Sequence, residues 1–471
     1  MLKRLHERTK DLSGRFVPSP DRPDPFRTWD GAERLDLPLP PDPEVSCKHL
    51  LTPFPEPSPF TLESVSKFLE LGAGITGIYG DIYRTVRANP SAGNLHPEET
   101  YLLLRDGSLY HYNVKDHSLS LRGRLKPLDG LLPEGGFFVI ITAIYWRTLW
   151  KYGVRGFRYS LLDVGHLYGT LKAAGHVLGW RVIPLWNSSP DTLERILGFD
   201  RVAFAEGEEE YPQLALAVVP PSGHYPVALP PDLTEGAEFY GEPNRLSPDA
   251  VVFEDVVALE RETRKGYVEE LRTERAASVP HIDRLKDRIP EDCDAASVIR
   301  GRRSPFVYRE DNYLSKDTLM DMVSLAHELR EDGVTFKVFA QRVLDVKDGA
   351  YDPYLNPLKV GRVKDFLVKL TCNQKHCGNA NLNFVIVSNL DLSYEVPKLY
   401  RTVHYRAGAL GQLLYLLGEI YGLNGNAIGC FNDDLLAIYG ITDLSYVHHV
   451  SIGKGDPPQS WMAKPFRYGR K

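Results

Sequence analysis

Cysteine is scarce in this chain. Among 471 residues there are five: Cys47, Cys293, Cys372, Cys377 and Cys430. They are odd in number and irregularly spaced, which reads as a reducing compartment without a disulfide framework. A basic surplus is missing too. Lys plus Arg is 56 against 62 Asp plus Glu, a net charge of -6. A dedicated nucleic-acid binder would ordinarily lean the other way. No stretch approaches the ~18 uninterrupted apolar residues of a membrane span. The opening, MLKRLHERTKDLSGRF, has no apolar core of the kind a secretory signal needs. The expectation is a cytoplasmic globular protein with no membrane and no nucleic-acid partner. Its composition, 43% hydrophobic and 25% charged, is that of a folded protein, and its length allows two domains.

What is present is one plan written twice. Residues 1–60 are Pro-rich and read as an N-terminal arm. Residues 61–220 form one unit and residues 291–471 a second. Between them, residues 221–290 form a linker whose part from 251 to 277 reads as a helical connector. In the first unit a strand at 99–104 leads through Asp106-Gly107, a hairpin signal, into LYHYN. A buried strand, FFVIIT, and an apolar helix over 159–178 follow. The second unit repeats the order: FKVFAQRVLDV, then Asp348-Gly349, then FVIV at 384–387, then a helix over 405–421. The helices align at a constant offset, since 405 − 159 is 246 and the Gly165-His166 pair answers Gly411-Gln412. Agreeing offsets point to a tandem α+β repeat, a fused dimer. Both helices are apolar nearly all round, so each must be buried on every side, with room for one against the other.

Four stretches invite a chemical reading, each beside a plainer one. VIRGRRSPFVY gathers Arg300, Arg302, Arg303 and Ser304, donors suited to a phosphate. It also reads as a solvated basic helix end. YGLNGNAIGCFNDD places Gly422, Gly425 and Gly429 where backbone could approach a flat ligand, or where a helix is merely capped. In WRTLWKYGVRGFRY, Lys151 lies among aromatics and arginines. Partial desolvation beside a cation would lower its pKa and suit a general base. A snorkelling surface patch is the alternative. RANPSAGNLHPEET spends a turn of Pro90, Ser91 and Asn94 before a strand, for ligand contact or simple reversal. CNQKHCGNAN has two Cys and one His, too few for zinc, so no metal is expected.

Four segments in order resemble the nitroreductase-like flavoprotein superfamily, and within it the SagB-type dehydrogenase branch with long tandem members. They are the arm (HERTKDLSGRF through PDPFRTWDGAERLDLP), the turn NPSAGNLHP, the segment WKYGVRGFRYSLLDVGH, and the ending YRAGALGQLLYLLGEIYGLNGNAIGCFNDD. The resemblance implies two tandem nitroreductase-like domains packed as an intramolecular pseudo-dimer around buried long helices. It implies FMN held between them. Arg302, Arg303 and Ser304 with the Ile428, Gly429 and Cys430 loop would come from the second unit; Pro90, Ser91 and Asn94 would come from the first. Lys151 and Tyr152 match a catalytic pair of azoline-oxidising relatives, which implies a peptide or small heterocyclic substrate. An NAD(P)H-driven nitro or quinone reductase and a degenerate flavin-binding scaffold remain alternatives. The first unit has no Arg-Arg-Ser segment, and its post-helix loop GWRVIPLWNSS lacks the glycines. The second has no Pro-Ser-x-x-Asn turn, so one complete site per chain is expected. Phe306 stands where many relatives have a basic residue; Arg342, Lys464 and Arg467 are candidates to supply that charge.

Overall fold

The computed structural model describes residues 1–12, 22–79, 84–267 and 279–456. Two antiparallel sheets carry the fold. In the first half the strands are β1 (Glu98–Leu103), β2 (Ser108–Asn113), β3 (Ser118–Arg124), β4 (Phe137–Ala143), β5 (Arg181–Pro184) and β6 (Tyr211–Val219). Their order across the sheet is β3-β2-β1-β4-β6-β5, widened beyond β3 by the short strands Arg34–Asp36 and Glu238–Phe239. The second half has β7 (Thr335–Ala340), β8 (Gly349–Tyr351), β9 (Pro357–Val360), β10 (Leu382–Ser388), β11 (Asn424–Ile428) and β12 (Ser445–Gly453). These run β9-β8-β7-β10-β12-β11, the same order. The central strands β4 and β10 are buried along their whole length, which is why they read as unbroken apolar runs rather than alternating ones.

Between the sheets lie two long helices, α3 (Gly156–Val177) and α6 (Lys398–Ile420). Shorter helices used below are α1 (Leu62–Ala73), α2 (Trp146–Tyr152), α4 (Ala295–Gly301) and α5 (Lys316–Leu329). The long pair meets backbone to backbone. A Cβ on Gly165 would sit 2.2 Å from the Tyr405 carbonyl oxygen, and one on Gly408 would sit 2.2 Å from that of Leu162. Any side chain at either position would force the helices apart. Leu161, Val164, Leu167, Leu410, Leu414 and Leu417 are all buried around this crossing. Each such side chain contributes roughly 1.5–3 kcal/mol, so the all-round apolar pattern is met by burial on every side.

Besides Leu162 and Gly408, two further pairs of residues 246 positions apart touch each other. His166 Nδ1 lies 3.4 Å from Gln412 Oε1, and Cys47 is joined to Cys293 in a disulfide. The disulfide corrects the sequence reading of the cysteines. Its partners are far apart along the chain, and no linear spacing reveals that Ser46 and Asp294 pair as an antiparallel bridge beside them.

The first hairpin turns at Gly107, with φ +85°, as its Asp-Gly signal predicts. Asp348-Gly349 does not form the matching tight turn. Gly349 is already the first residue of β8, and its missing Cβ leaves room for the Lys359 carbonyl, which would otherwise lie at 2.6 Å. The reversal takes up the residues before it, with Arg342 and Asp345 in left-handed backbone and Asp348 Oδ1 accepting from Arg342 N at 3.0 Å. The N-terminal residues form a helix, Leu2–Arg8, which buries Leu2 and Leu5 and places His6 Nδ1 2.9 Å from Tyr400 Oη of the second half. No helix among the described residues is long and apolar enough to cross a membrane.

Candidate functional site

A cavity of about 720 Å³ opens at one end of the helix pair. It is lined from the first half by Pro90, Ser91, Asn94, Lys151 and Tyr152, and from the second by Arg302, Arg303, Ser304, Ile428, Gly429 and Cys430. All eleven residues singled out from the sequence therefore face one space. Arg342 does not line it and instead donates to the Asn379 carbonyl. Arg300 also points elsewhere, pairing with Asp42 and Glu70. Lys464 and Arg467 lie outside the described residues.

Helix α4, capped by Asp294 accepting from Ser297 N at 2.7 Å, ends just before the arginines and delivers them. Arg302 is 3% exposed. Its Nε and Nη2 donate to the carbonyls of Ala88 and Arg87 at 2.9 and 3.1 Å, and its guanidinium stacks on the Tyr415 ring. No carboxylate among the described residues pairs with it. Burial pushes its pKa down, and Tyr415 and Glu419 only partly offset this. A buried cation without a counter-ion is costly, and an anionic ligand would relieve it. Arg303 is buried beside it, bonded to Thr76 Oγ1 and to the carbonyls of Thr76, Arg300 and Arg302. Glu419, whose carboxyl burial raises to about 7, accepts from Arg303 N at 3.4 Å.

The Pro-Ser-Ala-Gly-Asn turn is held from behind. Ser91 Oγ donates to Asp163 at 2.7 Å, and Ala92 N donates to the same carboxyl. Asn94 donates to the Thr85 carbonyl and pairs with His96. The two side chains expected to reach outward are thus spent on the turn, and its backbone is what remains to meet a ligand. Burial, and then the charge of Glu98, push Asp163 well above the usual carboxylate range. Gly93, at φ +62°, touches the Lys151-Tyr152 pair: a Cβ there would lie 2.6 Å from Tyr152 Oη and 3.3 Å from Lys151 Nζ.

Lys151 sits exposed at the mouth, at the end of α2. Partial desolvation and the charge of Arg22 lower its pKa. The cation responsible is thus an arm residue, whose Nη2 also donates to the Asn94 carbonyl at 3.0 Å. Tyr152 is mostly buried, and burial raises its phenol. The glycines after α6 have a defined use. Gly429 and Gly425 lie against the rings of Tyr159 and Tyr415, where a Cβ would come within 2.8 and 2.7 Å. Tyr415 Oη joins Ser304 Oγ at 2.9 Å and accepts from Ala427 N at 2.6 Å.

Several lining residues were missed in the sequence. Tyr159, Asp163 and His166 lie on one face of α3, at helical spacing that reads equally well as core. His448 on β12 meets His166, Nε2 to Nε2, at 2.9 Å, and burial keeps both imidazoles neutral. Cys372 and His376, from the stretch first weighed for metal, also face the cavity. The described residues include no cluster able to hold a metal ion.

No family model matches the chain. Over 178 residues, 34% of this chain and 81% of the relative's length, it is 29% identical to a nitroreductase-type protein of Methanocaldococcus jannaschii. A crystal structure of a nitroreductase-type protein from Anabaena variabilis matches 97% of this chain and 99% of its own, with a TM-score of 0.70 and 20% identity. A shorter nitroreductase-type structure from Exiguobacterium sibiricum, in complex with FMN, covers 34% of this chain and 87% of its own at a TM-score of 0.24 and 15% identity. The fold over nearly the whole chain is therefore nitroreductase-like, with two α+β halves that meet at α3 and α6.

Proposed function

We propose that this cavity binds FMN and that the protein is an FMN-dependent oxidoreductase, a SagB-type dehydrogenase acting on a peptide azoline or a related small heterocycle. The observation that carries the reading is Arg302: a buried guanidinium without a carboxylate partner, facing a space bounded by both halves. The residues fit the cofactor. Arg302, with Nη1 uncommitted, and Arg303 suit a phosphate. Gly429 and the Tyr159 and Tyr415 rings suit a flat ring system. The volume lies within the range of ordinary ligand sites.

FMN, when bound, supplies a two-electron acceptor. Lys151, its pKa lowered, takes a proton from substrate carbon, and Tyr152 beside it orients the pair. The anchored turn keeps its backbone against the ligand, and the arm residue Arg22 positions the turn while tuning Lys151. The matching strand orders and the 246-residue offset support descent from a duplicated subunit, after which one site was kept. The domain limits proposed are 61–220 and 291–471.

Two measurements test this. Flavin released by acid should count one FMN per chain; a count near two would end the one-site reading. Rapid mixing should show the flavin reduced by an azoline substrate and little affected by NADPH. Fast bleaching by NAD(P)H would instead make the protein a nitro or quinone reductase, and a colourless protein that takes up no FMN would make it a scaffold.

A further inference from the structure

Two of the three free cysteines face the same cavity from opposite segments of the second half. Cys372 follows a short helix, Lys364–Leu370, and stands in left-handed backbone at φ +53°. Cys430 follows Gly429 at the end of β11. The two segments are fastened on both sides of the sulfurs. Asn432 N donates to the Leu370 carbonyl at 2.8 Å, and Gln374 Nε2 donates to the Cys430 carbonyl at 3.2 Å. Between these ties both thiols face the cavity, and each shifts the titration of the other. Both cysteines are half-buried, whereas Cys377 is sealed in the core.

We propose that Cys372 and Cys430 form a redox-active dithiol/disulfide couple in the cavity wall, with small disulfides and thiols that enter the cavity as its exchange partners. The inference does not rest on FMN. It would hold for the same cavity under any cofactor reading.

The pair is unequal in the way exchange requires. The Cys372 side chain lowers the Cys430 pKa, with help from the Arg155 charge, and Cys430 in turn raises that of Cys372. Arg155 is held in place by donating to the carbonyls of Gly429 and Phe431, on either side of Cys430. Cys430 is therefore the attacking thiolate. It attacks one sulfur of a small disulfide, forming a mixed disulfide and expelling one thiolate. Cys372 then loses its proton to solvent and attacks the Cys430 sulfur. The Cys372–Cys430 bond forms and the second thiolate leaves. Two protein thiols are oxidised, and one external disulfide is reduced to two thiols.

The test equilibrates the purified protein, as isolated, in glutathione buffers from fully reduced to fully oxidised. Acid quenching, alkylation and peptide mass analysis then follow each cysteine separately from the Cys47–Cys293 bridge. Wild type should pass through a single two-electron transition, with Cys372 and Cys430 lost to alkylation together and recovered as one cross-linked peptide pair. Cys372→Ser should leave Cys430 trapped as a glutathione mixed disulfide, because its resolving partner is gone. Cys430→Ser should leave Cys372 reduced under the same buffers. Circular dichroism checks that each variant is folded. A wild-type protein in which both thiols stay free at the oxidised end, or in which Cys430 carries glutathione without the cross-link, would overturn the proposal.

Discussion

The two ends of the helix pair differ in a way that the fold's symmetry does not require. At one end lies the cavity of about 720 Å³. Toward the other lies a much smaller space of about 70 Å³, which includes Ala409 and Gly169. Positions 246 apart carry different side chains at the two ends. Asp163, which anchors the turn, is answered by Ala409, and Tyr415 by Gly169. Leu329, Leu410, Leu413 and Leu416 line the second space. Glu331 beside it pairs with Arg406 at 3.5 Å and accepts from Tyr168 at 2.6 Å. One end thus holds an open cavity with a buried arginine that no carboxylate among the described residues pairs with, and the other a small pocket walled by leucines and an ion pair. At the second end the buried charge of Arg406 is answered by Glu331, whereas Arg302 at the first has no such carboxylate among the described residues.

The comparison can be broken by removing the chemistry from the open end. Lys151→Ala should retain FMN and the fold yet oxidise substrate about 10²- to 10⁴-fold more slowly, the usual contribution of a positioned base. Single-turnover flavin reduction by the substrate measures this, and a full-rate variant would remove Lys151 from the mechanism. A smaller effect sharpens the contrast between the ends. Arg302→Ala should weaken FMN binding about 10- to 100-fold, since a charge-assisted hydrogen bond contributes roughly 1.5–3 kcal/mol. Arg406→Ala, at the second end, should destabilise the protein but leave its FMN affinity unchanged. Fluorescence titration of the apoprotein with FMN reads both; equal losses in the two variants would mean that the ends are not functionally distinct.

The smallest effect concerns pH. Asp163 is held above its unfolded pKa by burial and by Glu98, so the folded state keeps a proton that the unfolded state releases. Its contribution to stability is therefore full below the unfolded carboxylate pKa and is lost as pH rises toward the folded one. Asp163→Asn should remove that part of the slope, leaving the variant relatively more stable near neutral pH than at mildly acidic pH. Urea midpoints across that range check it. Ala409, its counterpart, titrates nothing and offers a position where an Asn should add no such difference.

Much of this was legible in the chain itself. Strand β4, the hairpin at Gly107 and both long helices follow from apolar runs, a positive-φ glycine and all-round apolarity. The motifs around Arg302, Pro90 and Lys151 stood out because their residue types are unusual for a plain core. Other features were illegible for definable reasons. Asp163 and His166 look like misplaced polar residues on a buried helix until the turn and β12 are packed against them. The Cys47–Cys293 bridge joins residues whose only sequence signal is a repeat offset. Asp348-Gly349 imitates a hairpin turn, but its glycine is needed for strand contact instead.

By itself the sequence determined the two α+β units, their order of elements and the residue types able to bind a phosphate or move a proton, because local periodicity and side-chain chemistry are properties of short segments. Only the tertiary structure decided which of those residues share a cavity, that Ser91 and Asn94 hold their own turn, and that Cys372 stands beside Cys430. The sharing of one cavity by both halves depends on the crossing of α3 and α6, where two glycines let the backbones touch. That contact sets how residues hundreds of positions apart meet, and no local pattern encodes it.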